Sequence, residues 1–277
     1  MSELNSIALK IISSGKGILA TDESTGTMTK RLESVNVVST AENRLKFRNI
    51  LFSSEAMKTC VGGVILYDET IKQSVNSTSI SKLISNSSAV PGIKVDTGAK
   101  TLSSSKEEKI TEGLDGLRER LEEYYKLGAR FTKWRALLKI SETHPSEIAI
   151  QSNANTLAKY AALVQESNMV PIVEPEVLMD GDHDINKCYE ITAKVLTTCY
   201  AELKSLNVDL KGTLLKPNMV LPGTNSQNRS STEEIAKMTL KCLKENVPSE
   251  VPGIAFLSGG QSEIEATRNL NEINKIN

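Results

Sequence analysis

Short, nearly continuous apolar runs alternate with longer amphipathic ones along this chain. The short runs are 17–22, 61–67 (Val-Gly-Gly-Val-Ile-Leu-Tyr), 90–96, 129–135, 169–174, 212–216 and 253–258. Each reads as a strand buried on both faces. Between them, Leu114, Leu117, Leu121 and Tyr124 recur at helical spacing within 113–127, and 152–166 and 186–204 read the same way. Segment 231–245 opens on Ser231-Thr232-Glu233-Glu234, an N-terminal capping pattern, and 39–57 and 262–275 complete the helices. The serine-rich stretch 74–88 reads as an exposed loop or a weakly ordered surface helix. Strands alternating with helices predict a parallel sheet. With polar groups at the strand ends, seven such units favour an α/β fold, the TIM (β/α)8-type barrel, over an open doubly wound sheet. No Gly-x-Gly-x-x-Gly turn follows the first strand, which weighs against a dinucleotide fold. Residues 1–277 are expected to form a single barrel domain. A closed barrel has eight strands. Only seven are evident, so the chain is expected to lack the eighth βα unit and to leave two sheet edges unpaired.

What ends the strands is chemically informative. Gly212-Thr213-Leu214-Leu215 delivers Lys216 to the end of a buried strand, with Pro217 holding it extended. Burial disfavours an ammonium, and a neutral amine can attack a carbonyl to form a Schiff base. The alternative is a lysine whose stem follows the strand end out to water. A second run, Val170-Pro171-Ile172-Val173-Glu174-Pro175-Glu176, ends in a carboxylate next to a proline. In Phe131-Thr132-Lys133-Trp134-Arg135 the period of two puts Lys133 and Arg135 on one face and Trp134 on the other. Gly17-Ile18-Leu19-Ala20-Thr21-Asp22 brings Asp22 to a fourth strand end. Ionisable groups at several strand ends are costly structurally and useful chemically.

Leu257-Ser258-Gly259-Gly260-Gln261-Ser262 joins the last run to a helix, where backbone N–H groups and the helix dipole could hold a phosphate; an ordinary glycine turn is the other reading. Metal chemistry is not expected. The chain has two histidines, His144 and His183, and the four cysteines Cys60, Cys188, Cys199 and Cys242 are irregularly spaced. That spacing fits reduced thiols in the cytosol. Asp180-Gly181-Asp182-His183-Asp184 lacks the glycine and glutamate of a calcium loop and reads as a polar loop after the fifth strand. Charge is balanced, 33 Lys+Arg against 34 Asp+Glu, so no global field favours nucleic acid or an anionic membrane. No apolar run approaches the ~20 residues of a membrane span, and no signal peptide is evident at the start.

Taken together, Gly17–Gly26, Gly92–Asp96, Phe131–Arg135, Val170–Glu176, Gly212–Met219 and Phe256–Ser262 resemble the corresponding runs of class I fructose-bisphosphate aldolase, in order and over nearly the whole chain. The resemblance implies reversible aldol cleavage of fructose 1,6-bisphosphate in glycolysis and gluconeogenesis, with no cofactor and no metal. It makes Lys216 the Schiff-base lysine and Glu174 the general acid/base. Asp22, helped by Lys133, would accept the C4 hydroxyl proton, and Glu176 would be a second carboxylate in the network. A second ammonium near Lys216 would depress its pKa by repulsion. Ser258, Gly259 and Gly260 would cradle the C1 phosphate with Arg31. Ser24, Thr27, Lys94 and Arg135 would hold the other phosphate, with Arg44 a further candidate. The family also implies a cytoplasmic protein and a homotetramer.

Two positions depart from the family pattern without loss of chemistry: Thr27 where serine is expected, and Ile264 where an acidic residue is usual. The larger departure is at the end. The family continues with an eighth strand carrying a phosphate-binding Ser-Tyr-Gly-Arg run, a closing helix and a tail ending in tyrosine, so this chain is expected to be a truncated member. An aldolase chain without catalysis, acting at most as a binding or subunit-interaction module, is the alternative function.

Overall fold

A computed structural model describes residues 2–103 and 105–277. Six strands form one parallel sheet: β1 (Gly17–Ala20), β2 (Val61–Leu66), β3 (Val90–Lys94), β4 (Phe131–Leu138), β5 (Val170–Val177) and β6 (Leu214–Leu215). Their spatial order is their chain order, as right-handed strand–helix–strand connections give in a barrel. The helices are α1 (Glu3–Ile11), α2 (Thr25–Glu33), α3 (Ala41–Phe52), α4 (Ile80–Asn86), α5 (Leu117–Lys126), α6 (Glu147–Glu166), α7 (Ile185–Ser205), α8 (Thr232–Asn246) and α9 (Glu263–Ile276), with short turns of helix at Ala56–Thr59 and Asp68–Ile71. Ser231 caps α8 as its sequence predicts, accepting from Glu234 N.

The sheet is curled. Asp22 follows β1 and Lys133 lies in β4, three strand spacings away, which is roughly 14 Å in a flat sheet. Their charged atoms are nevertheless 2.8 Å apart. Period-two alternation then divides the strands into an inside and an outside. Outward residues, among them Val64, Leu66, Ile93, Trp134, Val173 and Leu215, pack with the helices in the larger core. Inward residues form a second cluster: Ile65, Val90, Phe131, Val170, Ile172 and Leu214, with Ile18 packed against it. Helix α1 closes that end of the interior with Ala8 and Ile11. The approach is close enough that a Cβ on Gly62 would lie 1.8 Å from the Ile11 carbonyl oxygen, and one on Gly92 would lie 2.3 Å from the Phe131 ring. Further along the same inward face stand Asp22, Lys94, Lys133, Glu174 and Lys216, the last three each two residues beyond Phe131, Ile172 and Leu214, so the interior is apolar at the strand starts and ionic beyond them.

The last two expected strands are shorter than the sequence suggests. A 3-10 turn at Leu210–Gly212 precedes β6, and Pro217, which has no N–H, ends it. Lys216 still donates its backbone N–H to Val173 O at 2.8 Å. Segment 253–258 is not a regular strand; it pairs with β6 through a single bridge, Leu215 to Ile254. Parallel bonding nonetheless continues through Leu215 N to Gly253 O, Ala255 N to Leu215 O and Leu257 N to Pro217 O. Among the described residues no pairing joins β1 to this segment, and both are partly exposed while the strands between them are buried.

The serine-rich stretch 74–88 is more ordered than a loop. A two-residue hairpin, Ser74–Val75 with Thr78–Ser79, leads into α4, which Ile80 and Ile84 anchor in the core. The polar stretch 180–184 is a loop as expected, and Asp184 caps α7 by accepting from Lys187 N at 2.8 Å.

Candidate active site

At the strand ends lies a cavity of about 970 Å³ lined by Asp22, Ser24, Thr27, Arg31, Lys94, Lys133, Arg135, Glu174, Glu176, Lys216, Ser258, Gly259 and Gly260. Every residue singled out from the sequence is therefore gathered in one place, Arg44 excepted.

Its centre is a chain of ion pairs. Lys216 Nζ donates to Glu174 Oε1 at 2.6 Å. Glu174 Oε2 lies 3.5 Å from Lys133 Nζ, which in turn lies 2.8 Å from Asp22 Oδ2. Lys133 and Glu174 are only 5% and 2% exposed. For Lys133, burial alone lowers the pKa, but Glu174, Asp22 and Asp96 more than reverse it and the net direction is upward. Lys133 is thus a fixed ammonium between two carboxylates, and Glu174 a carboxylate between two lysines. Opposite charges so arranged hold one another in register while one oxygen of Glu174 stays without a hydrogen bond.

The next residues outward extend the pattern. Arg135 pairs with Glu176, and Lys94 donates to Asp96 Oδ1 at 2.6 Å and to its carbonyl at 2.7 Å. Burial works against the Arg135 charge, but the bond to Glu176 and the charges of Glu176, Glu174 and Asp96 together outweigh it and the pKa is raised. Ser24 caps α2, accepting from Thr27 N at 3.3 Å, with the two hydroxyls 3.1 Å apart. Arg31 is solvent-facing and paired with Glu23. On the opposite wall Gly259 and Gly260 adopt φ of +63° and +90°, a conformation that aligns successive backbone N–H groups and that other residues rarely adopt. The N-terminus of α9 is closed by its own capping box: Ser262 accepts from Glu265 N, and Glu265 from Ser262 N. The anion-binding capacity of this wall therefore belongs to the glycine turn more than to the helix end.

Arg44 is the exception. It lies on α3 and does not line the cavity, with Nη2 and Nε bound to Glu69 at 2.5 and 2.8 Å and Nη1 to Ser39. Glu69 is distant in sequence, so the pairing was invisible to local pattern. The sequence reading also missed Arg48, which is fully buried. Its Nε donates to Thr21 O at 3.0 Å and its Nη2 to Glu23 O at 2.7 Å, fixing the backbone on both sides of Asp22. Asp96 and Arg120 were likewise missed. Arg120 lines the cavity and donates to Val95 O and Gly113 O, staking down the loop beyond Lys94. Asp96 had a signal, since it ends the third apolar run as Asp22 ends the first. Arg48 and Arg120 had none, since helical arginines are ordinarily solvated.

Among the described residues no group of three or more His, Cys, Asp or Glu side chains could hold a metal ion, and no helix is long and apolar enough to cross a membrane.

A curled parallel sheet with a cluster of paired lysines and carboxylates on its inward face has the architecture of a TIM-barrel-type α/β enzyme. The chain belongs to the class I fructose-bisphosphate aldolase family, whose model, described as "Fructose-bisphosphate aldolase class-I", matches residues 3–277. It is 52% identical over 274 residues to fructose-bisphosphate aldolase C of Carassius auratus, covering 98% of this chain and 76% of that protein. It is 47% identical over 277 residues to the probable fructose-bisphosphate aldolase class 1 of Xanthomonas campestris, covering 100% and 83%. Cytosolic fructose-bisphosphate aldolase 6 of Arabidopsis thaliana is 50% identical over 275 residues. In structure the chain matches fructose-bisphosphate aldolase from Plasmodium falciparum, solved with TRAP and a small-molecule inhibitor, with a TM-score of 0.97 and 44% identity over 99% of this chain and 80% of the other. These alignments run through nearly all of this chain and through 76–83% of the relatives they match. The non-catalytic alternative is not favoured by relatives that are named as aldolases.

Proposed function

We propose that Lys216 attacks the C2 ketone of fructose 1,6-bisphosphate or dihydroxyacetone phosphate and forms the Schiff base of a reversible aldol cleavage. The observation that carries this is the 2.6 Å bond from Lys216 Nζ to Glu174. Glu174 takes the proton that Lys216 must lose before attack, then returns it as the carbinolamine loses water. The iminium draws electrons from the C3–C4 bond as Asp22 accepts the C4 hydroxyl proton. Lys133, its ammonium 2.8 Å from Asp22 Oδ2, positions that carboxylate for the step and stabilises the oxygen as it loses its proton. Glu176 serves indirectly, by orienting Arg135.

In this reading the two phosphates occupy opposite walls. Ser258, Gly259 and Gly260 with Arg31 receive the C1 phosphate; Ser24, Thr27, Lys94 and Arg135 receive the other. Residues 1–277 act as a single barrel domain. A cytosolic location is supported by the cytosolic Arabidopsis relative, and a homotetramer by family membership. Neither nucleic acid nor membrane is a partner.

Cleavage of fructose 1,6-bisphosphate to dihydroxyacetone phosphate and glyceraldehyde 3-phosphate, assayed with a chelator present, tests the reading. Turnover that Lys216→Met removes supports it. Turnover that survives Lys216→Met, or that the chelator abolishes, contradicts it.

A further inference from the structure

The opposite end of the sheet has a second cavity, of about 390 Å³, between α1, α4 and the turn that joins α5 to β4. Its cationic lining comes from Lys10, Lys82, Lys126 and Arg130; none of its lining residues is acidic. Four cations converge here although the chain as a whole is nearly neutral. Lys46, Lys58, Lys237 and Lys275 each pair with a carboxylate within one helical turn. Among the described residues, Lys10, Lys82 and Lys126 have no such partner.

Arg130 is held ready rather than used up. Its Nη1 donates to Tyr125 O and Ala129 O, and its guanidinium sits 4.0 Å from the centre of the Tyr125 ring. The plane of the fork is thereby fixed, while Nε and Nη2 have no protein acceptor among the described residues. Ser81, only 4% exposed, lies deep in the lining against Gly128, and its hydroxyl has no protein partner. A buried hydroxyl left unpaired costs stability unless something else satisfies it. The cavity is about the size of a small metabolite.

We propose that this cavity binds a small anion carrying two or more phosphate groups, gripped by Lys10, Lys82, Lys126 and the oriented fork of Arg130. A preset guanidinium makes bidentate contact with a phosphate, and lysines add charge without fixed geometry. Such a site lies at the strand starts, away from the Schiff-base lysine, and stands whether or not Lys216 forms an adduct.

Inorganic tripolyphosphate is the probe, titrated calorimetrically at low ionic strength into wild-type protein, Lys82→Gln/Lys126→Gln and Arg31→Ala. Both lysines are exposed, so the double variant is expected to fold and to cleave fructose 1,6-bisphosphate at the wild-type rate without the probe. The expected result is a class of sites that Arg31→Ala retains, that Lys82→Gln/Lys126→Gln weakens at least tenfold, and that added salt weakens further. Wild-type binding in the double variant overturns the proposal. So does binding that Arg31→Ala removes entirely, since the only site would then be the catalytic cavity.

Discussion

Glu174 stands between two lysines, 2.6 Å from Lys216 through one oxygen and 3.5 Å from Lys133 through the other. One carboxylate thus serves as proton acceptor for the nucleophile and as counter-ion for a buried ammonium. Replacement by glutamine keeps the shape and removes both services. Glu174→Gln is expected to lower kcat by about 10²–10⁴, the usual worth of general acid/base catalysis. It should also slow trapping of the ketose. A variant within a factor of a few of wild type in single-turnover assays would remove Glu174 from the proton path.

Lys133 offers a test of the ionic centre as structure. Lys133→Met leaves Asp22 and Glu174 facing each other without the ammonium between them. Breaking a buried pair from one side costs about 3–5 kcal/mol. Urea unfolding should register a loss of that size, and Asp22→Asn should recover part of it in the double variant. Strict additivity of the two changes would mean that the charges are not coupled.

Arg31 and Arg44 separate the cavity from its surroundings. Arg31→Ala is expected to raise KM for fructose 1,6-bisphosphate at least tenfold with little loss of stability, since its partner Glu23 is also held by Arg48. Arg44→Ala should do the reverse. Its KM stays at the wild-type value while stability falls by about 1–3 kcal/mol, as Glu69 loses its hydrogen-bonded partner. Steady-state kinetics beside thermal melts decide between the two patterns.

How much of this could be read from residues alone follows from the range of the interactions. The alternation of inward and outward positions is local, so Lys133 and Arg135 could be placed on one face from the run that carries them, although the strands expected to end at Arg135 and Glu174 continue three residues further, to Leu138 and Val177. The glycine turn at Gly259 and Gly260 was legible for the same reason. Long-range pairing was not. Nothing near Arg44 announces Glu69, and nothing near Arg48 announces the Thr21 and Glu23 carbonyls. Helix α1 was missed because Ala8 and Ile11 are few in a short segment; only the curled sheet, with Gly62 bare beneath Ile11, explains why they are buried. The serine-rich stretch was misjudged because two isoleucines, Ile80 and Ile84, outweigh its polar composition once α4 meets the core.

Gly62 makes a sharp packing test. A methyl group there meets backbone rather than a movable side chain, so Gly62→Ala must displace α1. Overpacking of this kind costs about 1–3 kcal/mol. Protection from hydrogen exchange should be lost first across residues 3–11, while the outward core keeps its protection. Uniform loss across the sheet would instead mean that α1 and the strands fold as one inseparable unit.

The loop after β5 carries a pH dependence. His183 is buried, and that burial lowers its pKa although Asp182 and Asp184 pull the other way. The folded protein therefore resists protonation that the unfolded chain accepts. Above the ordinary value of 6.5 both states are neutral and His183 contributes nothing; as pH falls below it, the unfolded state gains protons first and stability declines. Chemical denaturation from pH 8 to pH 5 should show this decline in wild type and a shallower one in His183→Gln. Parallel curves for the two proteins would assign the dependence to other groups.

The Schiff base itself is tested most directly by borohydride reduction in the presence of dihydroxyacetone phosphate, followed by intact mass and peptide mapping. The expected product is one reduced adduct per chain, on the peptide containing Lys216, and none in Lys216→Met. An adduct on Lys133 with Lys216 unmodified, or no adduct from a folded protein that turns over fructose 1,6-bisphosphate, would contradict the assignment of Lys216 as nucleophile.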